Sequence, residues 1–213
     1  MSHRSTPELL VLHAVRLVGF ADSDTIAERA GMGGDEALHA LRAAEREDWV
    51  QHLAFADLDG WSLTDAGRTE NERRLADERS RVDPDDTITA VYRAFLPLNA
   101  RLVRAVTDWQ IRPTPDDRFA PNNHADSAWD AQVLEELTAL GSGLAPLVTR
   151  LSGVLARFDG YAERYDSALR RAVNGAHEWV DKTDVDSCHR VWFQLHEDLV
   201  ATLGIDRGAE LAH

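Results

Sequence analysis

Between residues 49 and 63 the hydrophobic pattern of this chain changes its period. "WVQHLAF" (49–55) alternates, with Trp49, Gln51, Leu53 and Phe55 on one side and Val50, His52 and Ala54 on the other, which is the period of a β-strand. "WSL" (61–63) reads as the return strand. The "ADLDG" between them reads as a hairpin turn in which Asp59-Gly60 supplies the positive φ angles of a tight loop. On both sides the period is helical. A two-stranded ribbon held between helices is a specific order of elements, and the order constrains the fold more than any one piece does.

Upstream, "PELLVLHAVRL" (7–17) predicts a helix capped by Thr6, with Pro7 in its first turn, Glu8 complementing the dipole and Gly19 ending it. "ADSDTIAERAGM" (21–32) predicts a short second helix with its cap among Asp22–Asp24, followed by the glycine-rich turn "GMGG". A third helix is expected from about Gly34 to Asp48, with Leu38, Leu41, Ala44 and Glu45 on one side. Its opposite side carries Asp35, His39, Arg42 and Arg46 at spacings of four, three and four, hence one exposed stripe. Downstream, "TDAGRTENERRLADERS" (64–80) predicts a polar helix capped by Thr64.

The turn region "AERAGMGGDEALHALRAAEREDWV" (27–50) and the wing exit "GWSLTDAGR" (60–68) make residues 7–80 resemble the winged-helix family, in particular the MarR-type bacterial transcriptional regulators. The resemblance implies a winged helix-turn-helix with a two-stranded wing, and DNA as partner. A recognition helix reads bases mainly through its N-terminal half. On that reading the stripe of the third helix offers His39, Arg42 and Arg46 to DNA. Ser23 and Thr25 on the second helix, His52 in the wing and Arg68 after it are further phosphate contacts. Asp35 and Glu36 precede them, and the wing tip "DLDG" bears two acids and no arginine.

Charge opposes this expectation. The 213 residues carry 23 Lys+Arg against 37 Asp+Glu, a net charge of −14. Nucleic-acid binding draws much of its affinity from neutralised phosphates, and neither half of the chain is basic. The acidic balance supports a rival in which the winged helix binds protein and regulates a phosphotransfer or other enzyme without touching DNA.

"RVDPDDT" (81–87) marks a boundary, since Pro84 stops one helix and Asp85 or Asp86 can cap the next. We therefore expect a winged-helix domain over 1–82 and an all-α domain over 83–213, a mainly α chain overall. In the second domain "TITAVYRAFLPLNARLVRAVTDWQ" (87–110) is a helix with Pro97 inside it. "IRPTPDDRFAPNNHAD" (111–126) is a long loop, a kind of segment that often carries function. "SAWDAQVLEELTAL" (127–140) is a helix, residues 145–175 give one or two more with a bend near Asp159-Gly160, and 184–205 is the last long helix, stopped by Gly204. "TDWQ" (107–110) and "DSCHRVWFQLHEDLVATLGI" (186–205) resemble segments of helical extensions in actinobacterial phosphoenolpyruvate-utilising proteins, which implies a regulatory or partner-binding unit.

Four of the six tryptophans, Trp109, Trp129, Trp179 and Trp192, fall in this half. Trp109, Trp129 and Trp192, with His124 and His196, are candidates for lining a small-molecule effector pocket between helices; the plainer alternative is that the tryptophans are core anchors. His189 and His196 are seven residues apart, about 10 Å along a helix, too far to share one metal. A histidine joined to Asp108, Asp126 or Asp130 would be needed, and no metal or cofactor is expected. The single Cys188 excludes an internal disulfide. With no phosphate loop, dinucleotide fingerprint or nucleophile elbow, the chain is not expected to be an enzyme. The absence of a long apolar run or an apolar leader in "MSHRSTPELL" predicts a cytoplasmic protein with no membrane contact. The expected function is that of a homodimeric DNA-binding regulator whose helical half dimerises, senses an effector, or both.

Overall fold

A computed structural model describes residues 2–55 and 58–205. The protein is mainly helical, with one small antiparallel sheet. It divides into two compact units. The first comprises residues up to Asp86, Gly153–Arg157 and the described residues from His196 onward; the second comprises Thr87–Ser152 and Phe158–Leu195. The expected boundary at 82/83 lies close to the break at 86/87. The pattern along the chain gave no sign that two later segments belong with the first unit.

In the first unit α1 (Pro7–Val18) is capped by Thr6, whose Oγ1 accepts from the Leu9 N–H, and ends at Gly19 with φ +79°. Asp22 caps α2 (Ser23–Ala30), accepting from the Thr25 N–H at 2.8 Å, and this contact holds its carboxyl below the usual carboxylate range. Gly31, in the left-handed region, closes α2. On α3 (Gly34–Arg46) the buried stripe is Ala37, Ala40, Leu41 and Ala44. Leu38 is half-buried and Glu45 exposed, so the buried face is rotated from the expected one. Small alanines let α3 lie close to the core formed by Val11, Leu12, Val15, Ile26, Val50 and Trp61.

The sheet has three strands where two were expected. Phe20–Ala21 (β1) pairs with Leu58–Leu63 (β3), which pairs with Val50–Phe55 (β2), in the order β1-β3-β2. Asp59 and Gly60 are not the turn: they lie within β3, opposite Ala54 and Leu53, and the connection between β2 and β3 falls at 56–57, outside the described residues. Gly60 serves close approach instead, because a Cβ there would come within 2.7 Å of the Phe20 ring and 2.8 Å of the Ala21 carbonyl.

Thr64 caps α4 (Asp65–Val82), accepting from the Gly67 N–H at 2.9 Å. Two arginines midway along α4 are tied within the helix: Arg73 pairs with Glu70 and Asp77, and Arg74 with Glu70. These pairs draw Glu70 down to about 2. One face of α4 buries polar groups. Glu78 accepts from Arg157 at 2.5 Å, and Arg157 donates to Thr202 at 2.7 Å, with both charged side chains almost fully buried. Asp198 lies 3.0 Å from His13 Nε2 and accepts from the Thr202 hydroxyl. These pairings, with partners up to 185 residues apart in sequence, bring 153–157 and the end of the last helix into the first unit.

In the second unit α5 (Thr87–Gln110) runs through Pro97 and buries Val91, Phe95, Leu102, Val106 and Trp109, whereas Leu98, expected on the same side by its spacing, is half-buried. Instead of two helices, α6 (Ser127–Val154) continues through "GSG" (141–143). The glycines there make room: a Cβ on Gly141 would stand 3.0 Å from the Tyr165 ring, and one on Gly143 3.2 Å from Leu98. Gly160, with φ +84°, starts α7 (Tyr161–Val173), and α8 (Cys188–Leu203) is the last helix. The loop 111–126 is pinned by the Ile111–Pro121 bridge and by the Asn122 N–H donating to the Gln110 carbonyl at 2.8 Å. No described helix is long and apolar enough to cross a membrane.

Candidate functional site

Two regions carry chemistry, one in each unit. In the first unit His39, Arg42 and Arg46 stand exposed on α3, as does Arg68 in the first turn of α4. Among the described residues Arg42, Arg46 and Arg68 make no ion pair, which leaves their guanidinium groups available to an outside anion. The other residues expected at a nucleic-acid surface are already engaged. Ser23 Oγ accepts from the Trp61 indole N–H at 3.0 Å. Thr25 is half-buried and bound through its N–H to Asp22. His52 lies 2.6 Å from Asp59 and its ring rests on Trp61, with centroids 4.5 Å apart. A carboxylate therefore already stands against the His52 ring nitrogen. Asp35, Glu36, Glu45 and Glu47 are exposed around the two α3 arginines.

Of the five residues expected to line a ligand pocket, Trp109, His124, Trp129 and Trp192 lie in the second unit, where they are engaged in different ways. Trp192 is a core anchor: its indole N–H donates to Asn99 Oδ1 at 3.0 Å and its ring stacks on Phe95, centroids 5.0 Å apart. His196 belongs to the first unit. Trp129, half-buried, donates to the Asp108 carbonyl at 2.7 Å and borders a groove of about 370 Å³ with Arg101, Arg104, Asp108, Gln132 and Glu136. In that groove Arg101 and Glu136 form a two-pronged pair at 2.7 and 3.0 Å. The pairing raises the Arg101 guanidinium and lowers the Glu136 carboxyl from their ordinary values.

Trp109 and His124 do meet, and they meet around a third residue. Trp109 is buried near the end of α5; its ring lies 4.6 Å from that of His124 and 5.2 Å, edge-on, from that of His177, centroid to centroid. Asp130, buried in the first turn of α6, presents Oδ2 to His124 Nδ1 at 3.0 Å. Its other oxygen, Oδ1, accepts from Asn122 Nδ2 at 2.9 Å. The same Asn122 amide donates to the Trp109 carbonyl, and its Oδ1 accepts from the His124 N–H. That local bond holds His124 at φ +56°, a left-handed conformation uncommon for a residue with a Cβ. The ligand atoms of His124, Asp130 and His177 all lie within 4.8 Å of one another. His177 sits in a short 3₁₀ turn (His177–Trp179) that nothing in the local sequence tied to the loop; Asn122, beside His124 in "NNHAD", was visible but carried no distinguishing signal.

Cys188 is fully buried, and burial pushes its thiol up to about 12, which removes thiolate chemistry from consideration at neutral pH. Neither a family model, nor a curated protein, nor a solved structure matches this chain.

Proposed function

We propose that this protein is a DNA-binding transcriptional regulator in which residues 1–82 act as a winged helix-turn-helix and the helical remainder serves dimerisation or effector sensing. The observation that carries the reading is the exposed face of α3, where Arg42 and Arg46 stand one turn apart with no carboxylate bound to either among the described residues. The order α1, α2, α3, then the β2–β3 ribbon and α4 supports it, because in this motif the helix after the turn is the one that meets the duplex. Arg68, exposed and without an ion pair among the described residues, adds a third cation beyond the ribbon. Acting as a homodimer would present the set twice, which helps an acidic chain hold phosphates. The groove beside Trp129, lined by Arg101, Arg104, Asp108 and Glu136, suits a small polar effector carrying both charges.

A second reading has its own support. Asp35 and Glu36 open α3, where a DNA reader usually places donors, and His52 in the ribbon is matched by Asp59. Those acids suit a basic protein surface, such as that of an enzyme the chain would regulate. Titration of duplex DNA at low salt, with charge reversal at Arg42 and Arg46, separates the two readings.

A further inference from the structure

We propose that His124, Asp130 and His177 bind one divalent transition-metal ion of the zinc type, leaving a coordination position open to solvent. The site lies wholly within the second unit, and the proposal does not depend on DNA binding.

The donor set decides the class of ion. Two imidazoles and one carboxylate suit zinc, cobalt, nickel or copper; magnesium and calcium prefer oxygen ligands throughout. The geometry is close to what such an ion needs. Ligand atoms about 2.0–2.1 Å from a tetrahedral zinc stand roughly 3.3 Å apart. His124 Nδ1 and Asp130 Oδ2 are 3.0 Å apart. The full set lies within 4.8 Å, and the shortfall is within reach of a small rotation of the exposed His177 ring. Without an ion, the contact between His124 and Asp130 already holds the same two atoms together.

The surroundings are those of a ligand set held in place. A ligating carboxylate is ordinarily hydrogen-bonded through its other oxygen, and Asn122 does this for Asp130 while also fixing the His124 backbone and the Trp109 carbonyl. Asp130 is buried, so its charge is poorly screened and strengthens a metal bond. Trp109 flanks both imidazoles and narrows their freedom. With three protein ligands, zinc keeps a fourth position for water or an anion, the open arrangement that distinguishes such a site from a closed structural one.

The test uses the full, untagged chain, freed of metal by chelator and dialysed at pH 7.5. Zinc is titrated by calorimetry and cobalt by its visible absorption. The expected result is one ion per chain, a four- or five-coordinate cobalt spectrum, and no comparable binding of magnesium. His177→Ala, at an exposed position, should fold normally by circular dichroism and weaken zinc at least about tenfold, the smallest effect seen when a metal ligand's support is removed. His124→Ala should do the same and alter the cobalt spectrum. Absence of zinc binding in the tens of micromolar, or binding unchanged by both substitutions, overturns the proposal.

Discussion

The Trp49 carbonyl lies against Gly67 so closely that a Cβ on Gly67 would stand 1.7 Å from its oxygen. The same carbonyl accepts from the Thr64 N–H at 3.1 Å, and Thr64 Oγ1 donates to the Asp48 carbonyl. The start of α4 is thus clamped onto the entry to β2, and the glycine in "TDAGR" is there for contact, not for backbone freedom. Gly67→Ala should lower stability by about 3 kcal/mol, the upper part of the range for overpacking, since backbone atoms cannot step aside. Urea unfolding followed by circular dichroism checks this; a loss under about 1 kcal/mol would show that α4 is not so fixed.

The buried charges of the first unit make a second prediction. Arg157 lies between Glu78, at 2.5 Å, and Asp198, at 3.5 Å, and all three are nearly inaccessible to water. Arg157→Met would leave two acids buried without their cation, at a cost of roughly 3–5 kcal/mol. Adding Glu78→Gln should recover part of that loss, so that the double variant is less destabilised than the sum of the two singles. Strict additivity in urea unfolding would mean that the contact has no energetic coupling.

His189 gives the fold a pH dependence. Burial disfavours its charged form and lowers its pKa from 6.5, against a smaller opposing influence from Asp181. Between the folded value and 6.5 the unfolded chain binds more protons than the folded one, so stability rises with pH across that interval. The contribution is complete above about 6.5 and is lost as the pH falls through the folded value. Melting temperatures measured from pH 5 to 8 should therefore fall less steeply on the acid side for His189→Gln than for the native chain. Equal slopes would contradict the assignment.

How far the sequence reaches can be judged from particular residues. Helix caps were legible because they are local: Thr6 and Thr64 act within three residues of themselves. The apolar spacing of α5 and the strand character of β2 were legible for the same reason. β1 was not, because two residues have no period and Phe20–Ala21 is a strand by virtue of its pairing with Trp61 and Ser62. "GSG" looked like a break and is instead a close approach of α6 to Tyr165 and Leu98. In the candidate sites, the exposure of His39, Arg42 and Arg46 followed from helical spacing. Ser23 and His52 carried no sign that Trp61 and Asp59 would engage them. The meeting of His124 with His177 depends on the packing of a loop against a 3₁₀ turn 53 residues later in the chain, and no local pattern encodes it.

The proposed contact of Arg42 and Arg46 on α3 with DNA is tested most directly by fluorescence anisotropy of a labelled random duplex at low salt. The predicted result is saturable binding tighter than about 100 μM, the weak end of ordinary non-specific affinity. It should weaken with added salt, and by roughly tenfold or more in the Arg42→Glu, Arg46→Glu double variant, which removes two phosphate partners and adds two repulsive charges. No binding up to about 100 μM, or binding that the double variant leaves unchanged, would contradict the claim; the first outcome would turn attention to a basic protein partner for the acidic start of α3.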